Sequence, residues 1–335
     1  MSWTVLAFLL GVGGCSSPEP TPAEDVALGT RSLLEVLAAD SLEGRRAGSE
    51  GARTAARVIA TQFELAGLEA AGDSGFFQRI PVRISSRPDG RTRVRLLESW
   101  AAYDSLPGEG RRVETNVIGI VRGSAPERAG EYVLVTAHFD HVGIGRPVNG
   151  DSIYNGADDD ASGVVGLVEI ARALVQAPPA RSVVFAAMAG EEVGLIGTRW
   201  YVAHPVVPLD STVAALNLEM IGRPDTALAP GELWLTGYER TTMGPLLAEA
   251  GVAVHPDPRP GQRFYERSDN IAFARIGIPA HTLSSFGLHR DYHSPDDETE
   301  RIDFDHLEGA IEVASRAVRA LAFGPRPSWH PGGQP

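Results

Sequence analysis

The sequence predicts an α/β fold in which a mixed, mostly parallel central sheet carries helices on both faces, an α/β/α sandwich. Three observations carry this. From Tyr132 onward, short apolar runs alternate with stretches of helical periodicity, so strands and helices take turns along the chain. The runs are continuously apolar instead of alternating, as expected of strands buried on both faces. Acids and histidines gather just after those runs, where open α/β sheets hold their sites.

At the N-terminus, the run Trp3 to Gly14 is apolar but too short to span a bilayer, so residues 1–14 read as a signal peptide. It ends in Val12-Gly13-Gly14-Cys15, which resembles a bacterial lipobox, although no Lys or Arg precedes it. Cys15 is the single cysteine, which excludes an intramolecular disulfide and suits a lipid anchor better than redox chemistry. The expectation is an exported protein anchored to a bacterial membrane at Cys15, or otherwise periplasmic or secreted. Residues 15–24 are Pro-rich and polar, a flexible tether.

Helical spacing runs through Val26–Leu37 and Gly51–Leu65. Residues 72–115 mix short strand-like runs with Pro, Gly and charge, which allows one or two edge strands. Strands are predicted at 132–136, 182–188, 213–220 and 278–284, and helices at 161–175, 195–203, 241–250 and 304–321. With no internal repeat and no strong linker, residues 25–323 read as one domain. The Pro/Gly-rich stretch 324–335 reads as a disordered tail.

Composition is that of an ordinary soluble domain, 43% hydrophobic and 22% charged. Acids outnumber bases 43 to 30, a formal charge of −13. That argues against a nucleic-acid partner, which needs a basic face, and suits a carboxylate cluster for cations.

The residues after the predicted strands are metal-ligand types. His138, Asp140 and His141 follow the first, and Asp158, Asp159 and Asp160 precede the helix at 161–175. Glu191 and Glu192 follow the second strand, Glu219 ends the third, and His293 lies beyond the fourth. Imidazole and carboxylate donors without thiolate are typical of catalytic zinc, and a shared carboxylate can hold two ions about 3.5–4 Å apart. Glu219 in an apolar strand would be costly to bury without a partner. The outer acids of the triple Asp also suit a helix N-terminus.

Five segments resemble, in order, the motif set of the M28 zinc aminopeptidases: Ala-His-Phe-Asp-His (137–141), Asn-Gly-Ala-Asp-Asp-Asp-Ala-Ser-Gly (155–163), Ala-Gly-Glu-Glu-Val-Gly-Leu-Ile-Gly (189–197), Leu-Asn-Leu-Glu-Met-Ile-Gly (216–222) and Asp-Tyr-His-Ser-Pro-Asp-Asp (291–297). The resemblance spans a core of about 115–305 and implies a single zinc peptidase domain with two zinc ions. It makes Asp159 the bridging ligand, with Glu192 and His293 completing one ion and His138 and Glu219 the other. It implies Glu191 as general base on a metal-bridging water, Asp140 as the carboxylate that orients His138, and Tyr265 beside the transition-state oxygen. The implied substrates are peptides with a free N-terminus. The chain departs from the pattern at Glu219, where many relatives carry Asp, and at Ser268-Asp269-Asn270, where Ser-Asp-His is common.

His141, His281 and His289 are expected to be structural or peripheral, and His204, His255, His306 and His330 to lie on the surface. On the same scaffold, a glutaminyl cyclase-like activity or a carboxypeptidase with Arg259, Arg263 and Arg267 as its carboxylate site are the alternatives. A non-catalytic peptide-binding relative is a third.

Overall fold

The computed structural model describes residues 26–86 and 92–335, with Met1. The expected signal peptide beyond Met1, Cys15 and the tether lie outside the described residues. In chain order the strands are β1 (Glu69–Ala70), β2 (Phe77–Ser86), β3 (Thr92–Leu96), β4 (Arg111–Val121), β5 (Tyr132–His138), β6 (Gly143–Val148), β7 (Asp151–Tyr154), β8 (Ser182–Met188), β9 (Thr212–Leu218), β10 (Leu233–Leu235), β11 (Val254–Pro256) and β12 (Ala280–Ser284). The helices are α1 (Thr30–Leu37), α2 (Glu50–Ala66), α3 (Trp100–Asp104), α4 (Gly163–Gln176), α5 (Ile196–Ala203), α6 (Met243–Glu249), α7 (Asn270–Arg275) and α8 (Phe304–Phe323).

Ten strands make one sheet, ordered β11-β10-β12-β9-β5-β8-β4-β2-β3 with β1 beside β4; β6 and β7 form a separate hairpin. The sheet is mixed, as expected, with its parallel part more confined than expected. The ladder β12–β9–β5–β8 is parallel, as is the β10–β11 pair at one edge. The stretch at 72–115 supplies the antiparallel extension β4-β2-β3, in which β2 pairs with both β3 and β4.

Strand alternation divides the apolar side chains between two cores. Val133, Val135, Val183 and Phe185 face α1, α2, α4 and α8, whereas Leu134, Val184 and Ala186 face α5 and α7. The predicted strands and helices all form, with ends shifted by a few residues. The Ser49 hydroxyl caps α2 by accepting from Ala52 N–H at 3.1 Å, and the Asp303 carboxylate caps α8. Among the described residues no helix is long and apolar enough to cross a membrane.

The tail departs from expectation: it is not frayed. Trp329 bridges to Thr241, packs on the second core and donates its indole N–H to Gly277 O at 2.7 Å, while Arg326 bonds Glu131 at 2.7 Å. An indole with an apolar seat and a hydrogen-bond partner outweighs the Pro/Gly composition around it.

Candidate active site

The parallel ladder delivers the expected residues to one end of the sheet. His138 is the last residue of β5, Glu191 and Glu192 follow β8, Glu219 follows β9, and His293 lies in the loop after β12 with a left-handed φ of 51°. Asp159 sits in the distorted turn 157–162 that leads into α4. Gly156 starts that turn at φ 60°, where a Cβ would lie 2.6 Å from the His141 ring; only glycine permits the approach.

Asp159 divides its carboxylate between two groups of residues. Oδ1 lies 3.3 Å from His138 Nε2, while Oδ2 lies 3.2 Å from His293 Nε2 and 3.7 Å from His141 Nδ1. Glu192 Oε1 is 2.9 Å from both His141 Nδ1 and His293 Nε2. His141, Asp159, Glu192 and His293 thus offer four donor atoms within 4.8 Å of one another. Two residues expected as ligands, His138 and Glu219, lie outside that set. His138 faces the other Asp159 oxygen, and Glu219 accepts from Asn217 at 3.2 Å.

These residues fit a metal. The donor pairs are separated by about what donors at ~2.1 Å from a tetrahedral zinc require, ~3.4 Å. Among the described residues the fully buried His141 Nε2 has no hydrogen-bond partner, and His141 Nδ1 and Glu192 Oε1 face each other at 2.9 Å without hydrogen-bond geometry; buried polar atoms left so are rare in native folds. Charge tells the same story. Burial pushes Glu219 and Asp140 up to about 7, and burial with Glu219, Asp269 and Glu192 nearby holds Glu191 well above the usual carboxylate range. Burial opposes the His138 imidazolium, yet Asp159, Asp160 and Glu191 outweigh it and hold its pKa well above normal. The cluster carries more negative charge than the side chains around it neutralise, the condition a bound cation relieves.

The outer acids of the triple Asp are structural. Asp160 accepts from Gly163 and Met220 N–H at 3.1 and 2.9 Å, and Asp158 accepts from Gly222 N–H at 2.8 Å and faces His289 at 3.1 Å. They lash the turn to the segment after β9.

Four expectations need correction. Asp140 does not orient His138 through its carboxylate, which is 3.9 Å away and instead accepts from Glu191 N–H at 2.9 Å. The His138 ring is set by Nδ1–H donating to the Asp140 carbonyl at 3.1 Å, which leaves Nε2 for the metal side. Tyr265 is turned into the second core against His281, with Arg240 4.5 Å above its ring, because an aromatic body gains more from burial there than from the cleft. Tyr292 is the aromatic at the site instead, stacked on His293 at 4.0 Å. Finally, His141 is a potential ligand, not a peripheral histidine; the second His of Ala-His-Phe-Asp-His was the available signal. His306, expected on the surface, is also buried, between Gly231 N–H and Ser285.

Beside Glu219 lies a narrow recess walled by Trp234, Phe264, Phe286 and Tyr292. Of the three arginines considered for a carboxylate site, Arg259 is bound by Asp225 and Arg263 by Glu266; only Arg267 lines the recess.

A sequence profile described as Peptidase family M28 matches residues 116–318, more than half of the chain. The chain belongs to peptidase family M28. Among its M28 relatives, Aminopeptidase YwaD of Bacillus subtilis is 26% identical over 71% of this chain and 51% of its own. A probable zinc metalloprotease of Pyrenophora teres is 32% identical over 38% of this chain and 28% of its own. The chain therefore spans about half or less of these curated relatives. An aminopeptidase from Aneurinibacillus sp. strain AM-1 shares the fold with a TM-score of 0.63 at 18% identity, covering 90% of this chain and 95% of that one. The zinc aminopeptidase BSAP from Bacillus subtilis does so with a TM-score of 0.62 at 16% identity, covering 88% and 95%.

Proposed function

We propose that this chain is a zinc-dependent aminopeptidase with two ions, removing N-terminal residues from peptides. One observation carries the reading: Asp159 turns one oxygen to His138 and the other to His141, Glu192 and His293. In this reading Asp159, Glu192 and His293 would hold one ion, with His141 as a further donor, and Asp159, His138 and Glu219 would hold the second. Bound zinc polarises a peptide carbonyl and makes water a usable nucleophile near neutral pH.

The protein groups divide the remaining work. Glu191 takes the proton of the attacking water and passes it to the leaving amine. Asp140 fixes the Glu191 backbone and so aims the side chain. The aromatic recess beside Glu219 takes an apolar first side chain, with Tyr292 closing it. We propose further that the lipobox-like stretch ending at Cys15 directs export and acylation; intact-mass analysis of the membrane fraction against a Cys15→Ser variant tests that.

The catalytic reading is tested by mass spectrometry of a matched peptide pair, free and acetylated at the N-terminus, with zinc-loaded protein. Stepwise loss of N-terminal residues from the free peptide alone, abolished by chelator, is expected. No trimming of the free peptide refutes it; a pyroglutamate product or C-terminal loss selects the cyclase or carboxypeptidase alternative.

A further inference from the structure

The metal-facing residues have a second cavity on their other side. A cleft of about 600 Å³ runs from Glu192 and His293 to the edge strand β3 and is lined there by Thr92, Arg93 and Arg95. Arg46 forms part of its floor and pins the two walls together, bonding Val142 O at 2.9 Å and Thr92 O at 3.2 Å. Arg93 and Arg95 are exposed and project from one face of β3, opposite the buried Val94. Neither pairs with a carboxylate among the described residues.

That concentration of positive charge is unusual for this chain. The net charge is −13, yet eight of its thirty arginines fall between residues 79 and 112, against four acids. Across the sheet Arg83 lies opposite both Arg95 and Arg111. Like charges placed directly opposite on a sheet are destabilising, and within this row Asp104 lies 3.9 Å from Arg111. An anion arriving in the cleft would offset that cost, and arginine forks match carboxylates in a bidentate way.

The two cavities differ in shape as well as lining. The aromatic recess at Glu219 is narrow, a place for one terminal side chain. The arginine cleft is open, and its volume falls within the range of small-ligand sites. A peptide bond held between them would point its leaving portion toward β3.

We infer that Arg93 and Arg95 form a carboxylate subsite for the leaving portion, so that the preferred substrates are short peptides whose free C-terminal carboxylate reaches β3. This rests on the aminopeptidase reading above. An acidic side chain in a longer peptide offers the same chemistry, and the test separates the two sources.

Initial rates would be measured on a series of N-terminally free tripeptides, each as free acid and as C-terminal amide, and on an amidated hexapeptide with and without acidic residues. The free-acid tripeptides should show about a tenfold lower KM than their amides with similar kcat, because an anchoring contact kept in ground and transition state acts on KM. Raised salt should shrink that preference. In the exposed-site double variant Arg93→Gln/Arg95→Gln the acid-to-amide ratio should fall toward one. Equal KM for acid and amide in the unaltered protein overturns the inference, as does a tenfold ratio that survives in the double variant. A preference only for acidic side chains in the hexapeptide overturns the C-terminal assignment. Absence of turnover on every N-terminally free peptide is a different result, and refutes the aminopeptidase reading itself.

Discussion

Arg45 offers the sharpest test of how the site is held. Its guanidinium is 1% exposed and donates to four backbone carbonyls: Phe139 at 2.7 Å, Asn155 at 2.6 Å, Gly156 at 2.9 Å, and Leu37. Among the described residues no carboxylate bonds it, although Asp297, Asp140, Asp159 and Asp160 are close enough to favour its charge; burial lowers its pKa to about 10. Three of those carbonyls belong to the loops carrying Asp140, His141 and Asp159, and the fourth ends helix α1. Arg45→Met would leave four buried acceptors without donors at about 1 kcal/mol each at the low end, about 4 kcal/mol. Relief of the guanidinium's own desolvation offsets part of this, so the net loss should be about 3 kcal/mol, in keeping with the breaking of buried charged networks. Arg45→Lys should recover only part, since one ammonium cannot reach four carbonyls in a planar fork. Urea unfolding of the metal-free protein measures this, with the midpoint falling at constant m. A loss under about 1 kcal/mol in Arg45→Met, or full recovery in Arg45→Lys, would refute the argument.

Other consequences can be checked separately. His141→Phe keeps the buried ring volume and removes its nitrogens, so zinc affinity measured against a chromophoric chelator should fall about 10–100-fold; unchanged affinity would remove His141 from the site. Glu191→Gln should retain its zinc by elemental analysis and lose about 10²–10⁴-fold in kcat; near-normal turnover would rule out Glu191 as the base. His281 is fully buried, donates Nδ1–H to Thr236 O at 2.6 Å and pairs Nε2 with the Thr241 hydroxyl at 2.7 Å. Burial pushes its pKa down to about 4 against that carbonyl contact. The unfolded chain then binds this proton first, so stability is full above pH 6.5 and falls by roughly 3 kcal/mol as pH drops to about 4. Urea midpoints across that range should slope less steeply in His281→Gln; an equal slope would exclude His281 as the cause.

By itself the sequence determined the layered α/β architecture, the strand-end origin of His138, Glu191, Glu192 and Glu219, and the place of Asp159 just before a helix. These follow from local rules. A continuous apolar run buried on two faces must be a central strand, and the polar residues after it must emerge at its end. What the tertiary structure alone decided is which of those residues meet. His141 and His293 are about 150 positions apart, and their approach within one donor set depends on how two loops fold over the sheet, with Gly156 making the space. Packing turned Tyr265 into the core and stacked Tyr292 on His293. Asp140 acts through two different atoms, its carbonyl on His138 and its carboxylate on Glu191, a division that residue type does not encode. Arg45 gave no signal at all in the chain, because three of the four carbonyls that converge on it lie 94 to 111 positions away. Periodicity reports which face of an element is buried; partnership between elements is set by long-range packing, which no local pattern carries.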